Sequence, residues 1–344
     1  MSTTKSGHTF EEQCHRNAEI QKLFIGHPGA LEIHPGKWVQ ARAYKEYADE
    51  YYNFQFEEND VVVSTMPKSG TTWTLEVVWT FKNNPNLDNP MAIQPLNMRT
   101  PIIEIDTLIA HIPSRGTFKV MFDKQFPDFD QSHGLFLQLA GMSPRPRTIK
   151  THLPFQLLSS TALDTAKVVY VIRDPRDVCI SYHHHAKLFF YENFQGTFDQ
   201  YVDAFLAGAV WLGPYWEHVA QAWKLRDHPN MHIMFYEKMK NNTKEEFMRL
   251  STFLGTNITD EQMEKIIHYS SFAEMKKRDN HIVGASDAPD FMDMAMAQKS
   301  GGFFRQGTAG GWKKTLTQEQ KNKFQAWIDE NCPDKEIMDN ILNP

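Results

Sequence analysis

The chain has 344 residues, 41% hydrophobic and 23% charged, close to ordinary globular usage, which excludes a disordered, collagen-like or low-complexity protein. Lys plus Arg (36) against Asp plus Glu (42) leaves a formal charge of -6; chain-wide attraction to nucleic acid or an anionic membrane is thereby disfavoured, and any anion site must be local. Cys14, Cys179 and Cys332 are widely separated and lack C-x-x-C or zinc-finger spacing, which excludes a disulfide framework; with no apolar run near the roughly 18 residues of a membrane span, a cytoplasmic protein is expected.

In chain order, residues 1–40 form an N-terminal extension, polar over Met1 to Gln21. Short apolar or β-branched runs at 61–65, 148–150, 168–172 and 232–235 predict buried strands, and helical spacing marks 71–82, 177–189, 198–209, 215–225 and 244–254. Strand and helix alternate, and no repeat or long linker divides the chain. The expected fold is a single α/β domain with a central parallel sheet flanked by helices. Two segments fit poorly: 99–146, rich in Pro, Phe, Met and Gly, and 280–304, rich in Gly, Ala, Asp and Met. Long irregular stretches in a compact domain often act as lids or binding loops; a plain surface insertion is the alternative.

The first strand leads through Met66, Pro67, Lys68, Ser69 and Gly70 into Thr71, Thr72, Trp73 and a helix. Glycine lets the backbone approach an anion, the free N–H groups at the helix start point outward, and the helix dipole leaves positive potential there. Lys68, Ser69, Thr71 and Thr72 add donors, so a nucleotide phosphate is the expected ligand. The loop lacks the G-x-x-x-x-G-K-[ST] pattern, which disfavours a kinase; a simple Ser/Thr helix cap is the alternative.

At the end of the third run stands Arg173, followed by Asp174, Pro175, Arg176, Asp177 and, on the next helix, Ser181. Ligands of parallel sheets gather beyond the carboxyl ends of the strands, where both Lys68 and Arg173 fall. Arg173 can grip a phosphate with its fork of donors and Ser181 can add a hydroxyl. Arg176 is read instead as part of a surface ion network with Asp174 and Asp177. His183, His184 and His185 are adjacent on a helix and so diverge rather than converge on a metal.

Four motifs, P-K-S-G-T-T-W from Pro67, K-T-H-L-P from Lys150, R-D-P-R-D…S from Arg173 and F-F-R-Q-G…G-W-K from Phe303, together resemble the cytosolic sulfotransferases. The resemblance implies 3′-phosphoadenosine 5′-phosphosulfate (PAPS) as sulfuryl donor, its desulfated product PAP, and no metal. By that resemblance Lys68, Ser69, Gly70, Thr71 and Thr72 hold the 5′-phosphosulfate, and Trp73 and Phe272 pack on adenine. Arg173, Ser181 and the loop of Phe304, Arg305, Gln306 and Gly307 hold the 3′-phosphate. Tyr236 and the Ser270-to-Met275 segment match positions near the adenosine.

Transfer to an alcohol or phenol needs a base for the acceptor proton and cations for the sulfonate and leaving phosphate. The resemblance gives these roles to His152, Lys150 and Lys68. Phe118, Met121, Phe122, Phe126 and Phe129 are expected to line or cap an apolar acceptor pocket. The chain departs from the family in carrying Gln306 where R-K-G is usual, and in Lys313, Thr317, Gln318 and Asn322 where a dimerisation signature ends in an apolar residue and a Glu. A homodimer by that patch is therefore not implied. A non-catalytic binding protein, an elimination through a sulfated intermediate, and a phosphotransferase dependent on ATP and magnesium are the competing readings.

Overall fold

The computed structural model describes residues 4, 6–11, 18–26, 29–110, 120, 123–159, 161–278 and 291–344. Within the expected N-terminal extension, Thr9–Glu11 (β1), Ala30–His34 (β2) and Trp38–Ala41 (β3) pair antiparallel in that order. Leu31, Ile33 and Trp38 have no exposed surface and join the main core. The described strands of this extension thus form a layer packed on the core.

Val61–Thr65 (β4) is buried at all five positions, as a strand covered on both faces must be. With Thr148–Thr151 (β5), Lys167–Ile172 (β6) and Met231–Phe235 (β7) it forms a parallel sheet in the order β5-β4-β6-β7. Side chains alternate across it. Val62, Val168, Tyr170 and Ile172 enter one core cluster, whereas Val61, Val63, Val169 and Val171 enter the other. The helix Thr71–Asn83 covers the second face through Leu75, Val78 and Phe81. Val178, Tyr182 and Ala186 of the helix Pro175–Leu188 cover the first. The expected α/β architecture is present, and the helices Phe198–Leu206, Tyr215–Lys224 and Thr243–Leu254 fall where their spacing predicts them.

The described parts of the 99–146 segment have more order than its composition suggests. Ile105–Ile109 and Leu135–Met142 are helical, and the Asp106 carboxylate accepts the first N–H groups of the second helix, from Leu135 (3.0 Å), Phe136 (2.9 Å) and Leu137 (3.1 Å). The sequence L-F-L-Q-L-A-G-M is apolar on nearly every side, which erases the helical period. Phe118, Met121, Phe122 and residues 280–290 lie outside the described residues. No helix among the described residues is long and apolar enough to cross a membrane.

Candidate active site

β4 delivers the chain into a loop whose backbone is unusual at two positions. Lys68 has φ +71 and Gly70 φ +113, both left-handed. A Cβ at Gly70 would stand 2.8 Å from the Tyr236 ring, so glycine meets both a conformational and a steric demand there. The helix begins at Thr71, whose hydroxyl lies 2.7 Å from that of Thr65. Ser69 is buried and sits behind the loop rather than in the cavity wall.

Arg173, just past β6, ties three segments together. Its guanidinium donates to the Lys68 carbonyl (3.0 Å) and the Thr308 carbonyl (2.9 Å), and lies 4.3 Å over the Tyr236 ring. Asp177, in the first turn of the following helix, accepts the N–H groups of Gly310 (2.6 Å) and Trp312 (2.8 Å). These bonds dock the loop carrying Arg305, Gln306 and Gly307 against the sheet edge. The same loop is pressed close to Phe272, because a Cβ at Gly307 would come within 2.1 Å of that ring. Arg176 does pair with Asp174, through bonds of 2.8 and 2.7 Å, but the pair is buried beneath Trp312 and not part of a surface network. The guanidinium stacks 3.6 Å from the indole, which removes it from water.

At the end of β5, Lys150 and His152 face the same space. Nδ1–H of His152 donates to the Thr65 carbonyl at 2.9 Å, which fixes the tautomer and leaves Nε2 with its lone pair. Burial, with Lys150 beside it, holds the ring well below the usual imidazole range. Burial also lowers Lys150. Two residues with no local sequence signal hold this turn. The Glu104 carboxylate accepts the His152 N–H (2.6 Å) and the Thr151 hydroxyl (3.0 Å). Nε2–H of His218 donates to the His152 carbonyl (3.0 Å), and the Tyr170 hydroxyl donates to His218 Nδ1 (2.7 Å).

One cavity of about 920 Å³ joins these pieces. Its polar end is lined by Lys68, Gly70, Thr71, Thr72, Trp73, Arg173, Ser181, Tyr236, Ser270, Phe272, Met275, Phe304, Arg305, Gln306 and Gly307, so every expected nucleotide contact except Ser69 reaches it. Its apolar end, beyond Lys150 and His152, is lined by Ile105, Leu108, Phe126, Phe136, Phe189 and Phe303. Phe126 therefore lies where expected. Phe129 instead packs edge-on against Phe126 (5.9 Å) and stays 39% exposed, outside the wall. The adjacent histidines diverge: His183 packs among Phe194, Phe198 and Tyr201, His184 reaches the Gly302 carbonyl, and His185 meets the Tyr191 hydroxyl.

The polar end suits a polyanion. Among the described residues lining the cavity, Lys68, Lys150, Arg173, Lys240 and Arg305 face a single carboxylate, Asp177, whose oxygens are already taken by backbone N–H groups. Ser270 Oγ, Trp73 Nε1 and Arg173 Nε are buried there without a hydrogen-bond partner among the described residues, and Ser69 Oγ is likewise unpartnered behind the loop. Orphaned donors of this kind ask for a ligand.

A family described as "Sulfotransferase domain" matches residues 58–336. Luciferin sulfotransferase of Photinus pyralis is 31% identical over 289 residues, 83% of this chain and 74% of its own. Sulfotransferase 1A1 of Canis lupus familiaris is 32% identical over 299 residues, 85% and 91% of the two chains. Among solved structures, a retinol dehydratase in complex with androsterone and the inactive cofactor PAP superposes with a TM-score of 0.80 at 28% identity, covering 95% of this chain and 96% of that one. The chain belongs to the sulfotransferase family. It is a PAPS-dependent sulfotransferase, and PAPS/PAP is its nucleotide.

Proposed function

We propose that this enzyme moves the sulfuryl group of PAPS to the hydroxyl of a small hydrophobic alcohol or phenol, with His152 as general base, and does so in the cytoplasm. The observation that carries the reading is the bond from His152 Nδ1–H to the Thr65 carbonyl. It leaves the proton-accepting nitrogen free beside Lys150 at the junction of the cationic and aromatic halves of the cavity. A relative named for luciferin and a structural neighbour solved with androsterone or retinol support a hydrophobic hydroxyl acceptor.

Bound PAPS supplies the sulfuryl group and an adenosine bisphosphate leaving group. His152 takes the acceptor's proton on Nε2, and its lowered basicity keeps the ring neutral and ready at pH 7. Lys68 sets positive charge against the phosphate that departs, and Lys150 against the oxygens of the moving group. Arg173, Ser181 and Arg305 hold the 3′-phosphate and select against ATP, which would leave these groups unpaired. The aromatic end excludes water from the acceptor hydroxyl. No metal is needed in this scheme, because lysines and arginines supply the charge.

The test is a donor-driven assay against a panel of phenols and hydrophobic alcohols with EDTA present. Turnover is expected, falling by at least roughly 10² in His152→Ala, the scale of a lost general base. Robust activity in that variant would reject the assignment.

A further inference from the structure

A short run of hydrogen bonds joins the phosphate loop to the aromatic end of the cavity, and its direction follows from the chemistry of its members. The Lys68 side chain lies 3.4 Å from Nδ1 of His185 and 4.2 Å above the Phe303 ring. On the other side of that imidazole, Nε2 lies 2.6 Å from the Tyr191 hydroxyl. His185 and Tyr191 both line the cavity. Tyr191 belongs to the acceptor half, because it shares an apolar cluster with Ile109 and Phe189, against which Ile105, Leu108 and Phe136 rest. Its ring centroid is 5.3 Å from that of Phe189.

An ammonium can only donate. Lys68 therefore gives an N–H to Nδ1 of His185, which must carry a lone pair. Burial holds His185 well below the usual imidazole range, so the ring is neutral and its single N–H falls on Nε2. That N–H donates to the Tyr191 oxygen, and the phenolic proton is left unspent. Burial pushes the Tyr191 phenol far up, which keeps the proton on it. Burial first, then Lys150 and Arg173, push Lys68 down to about 7. Donor phosphates beside it favour the ammonium again, and its three N–H groups can serve His185 and a phosphate together.

The Tyr191 hydroxyl has no further hydrogen-bond partner among the described residues, and the Glu192 carboxylate next in sequence makes no hydrogen bond among them. Other polar side chains of the cavity wall are already engaged. The Ser143 hydroxyl donates to the Leu139 carbonyl (3.1 Å), the Trp211 indole donates to Gln40 (2.9 Å), and His184 meets the Gly302 carbonyl (3.0 Å). A buried donor left without an acceptor is costly, and a ligand oxygen removes that cost.

We infer that Tyr191 is a specificity-determining residue for the acceptor: its hydroxyl, held by His185, donates a hydrogen bond to a second oxygen of the bound molecule. The acceptor class is thereby narrowed to hydrophobic alcohols and phenols that carry a further carbonyl, ether or hydroxyl oxygen. The inference rests on the hydroxyl-acceptor reading proposed above and deepens it.

The test compares matched acceptors on the PAP-loaded protein by equilibrium binding. The pairs are androsterone against the same steroid without its ketone, and meta- and para-methoxyphenol against the corresponding ethylphenols, in which a methylene replaces the ether oxygen. In wild type at least one pair should differ at least about tenfold in favour of the oxygen-bearing member, since a site built to hydrogen-bond a group discriminates against an analogue lacking it. In Tyr191→Phe the preference in that pair should shrink to about twofold or less. Wild type that distinguishes no pair, or a variant that keeps the preference, would overturn the inference. Should Tyr191→Phe not fold, Tyr191→Met removes the same hydroxyl and the same loss is expected, a retained preference again counting against it. Turnover of the same compounds with PAPS separates the two readings. Wild type that binds them but transfers no sulfuryl group defeats the function proposed above, whereas the binding ratios still decide the role of Tyr191.

Discussion

His152 and Thr65 are 87 residues apart in sequence, and the ring Nδ1–H of the one donates to the carbonyl of the other at 2.9 Å. Thr65 is the last residue of β4 and also leads into the phosphate loop, its hydroxyl 2.7 Å from that of Thr71 at the helix start. The proton acceptor is therefore aligned by the same strand end that launches the anion-binding turn. Both move together if β4 shifts.

The first prediction concerns pH. Burial and the neighbouring Lys150 hold His152 well below the ordinary imidazole value of 6.5. The base then remains neutral as pH falls through 6.5, so the acid limb of kcat/KM should lie below that value. Lys150→Met removes a cation that favours the neutral ring, and the limb should move upward. A pH–rate profile of both proteins checks it, and a limb unmoved or lower in the variant counts against the assignment.

Glu104 offers a stability test. Its carboxylate accepts the His152 N–H and the Thr151 hydroxyl, and Glu104→Ala should cost about 1–3 kcal/mol by stranding both donors in the interior. Burial raises this acid from 4.5 to about 7. Between those values the folded protein keeps a proton that the unfolded chain has lost, so the contribution of Glu104 to stability declines as pH rises. Glu104→Gln removes the titration. Denaturant melts should show wild type losing stability relative to Glu104→Gln from about pH 5 to about pH 8.

Gly70 is the residue least able to change. Gly70→Ala introduces a Cβ at φ +113 and 2.8 Å from the Tyr236 ring. The loop should lose at least about 1 kcal/mol, and PAP should bind at least about fivefold more weakly. Calorimetric titration with PAP measures this; unaltered affinity would mean that the loop backbone does not contact the nucleotide.

Gln306 lines the cavity beside Arg305 and Gly307. Gln306→Lys adds a cation where the 3′-phosphate is proposed to sit. PAP binding should tighten about two- to fivefold, the scale of a partly exposed ion pair, while adenosine 5′-phosphosulfate, which lacks the 3′-phosphate, should bind as before. Equal tightening of both ligands would relocate the 3′-phosphate site.

What the sequence reveals and what it hides follow from distance along the chain. The β4 strand, Gly70 and the helix beginning at Thr71 are contiguous, so apolar run, turn residue and helical spacing can be read as one unit. The helix start at Pro175 is two residues earlier than its spacing predicts, because Asp174 caps it by accepting the Arg176 N–H and proline suits its first turn. The strands β1 to β3 are only three to five residues long, too short for a period to stand out. Glu104 and His218 carry no local pattern at all. Each acquires its part through a partner 48 or 66 residues away, and only the folded chain brings them together. Asp177 sits in a visible motif, yet its bonds to Gly310 and Trp312 span 133 and 135 residues, which turned an expected ion-pair partner into a clamp.

The Arg173 guanidinium bonds at once to the carbonyls of Lys68 and Thr308, residues lying 105 positions before and 135 after it. During synthesis the sheet can assemble before Thr308 exists, but this grip cannot. A nascent chain on the ribosome can therefore complete this end of the nucleotide cavity only after Thr308 has been made.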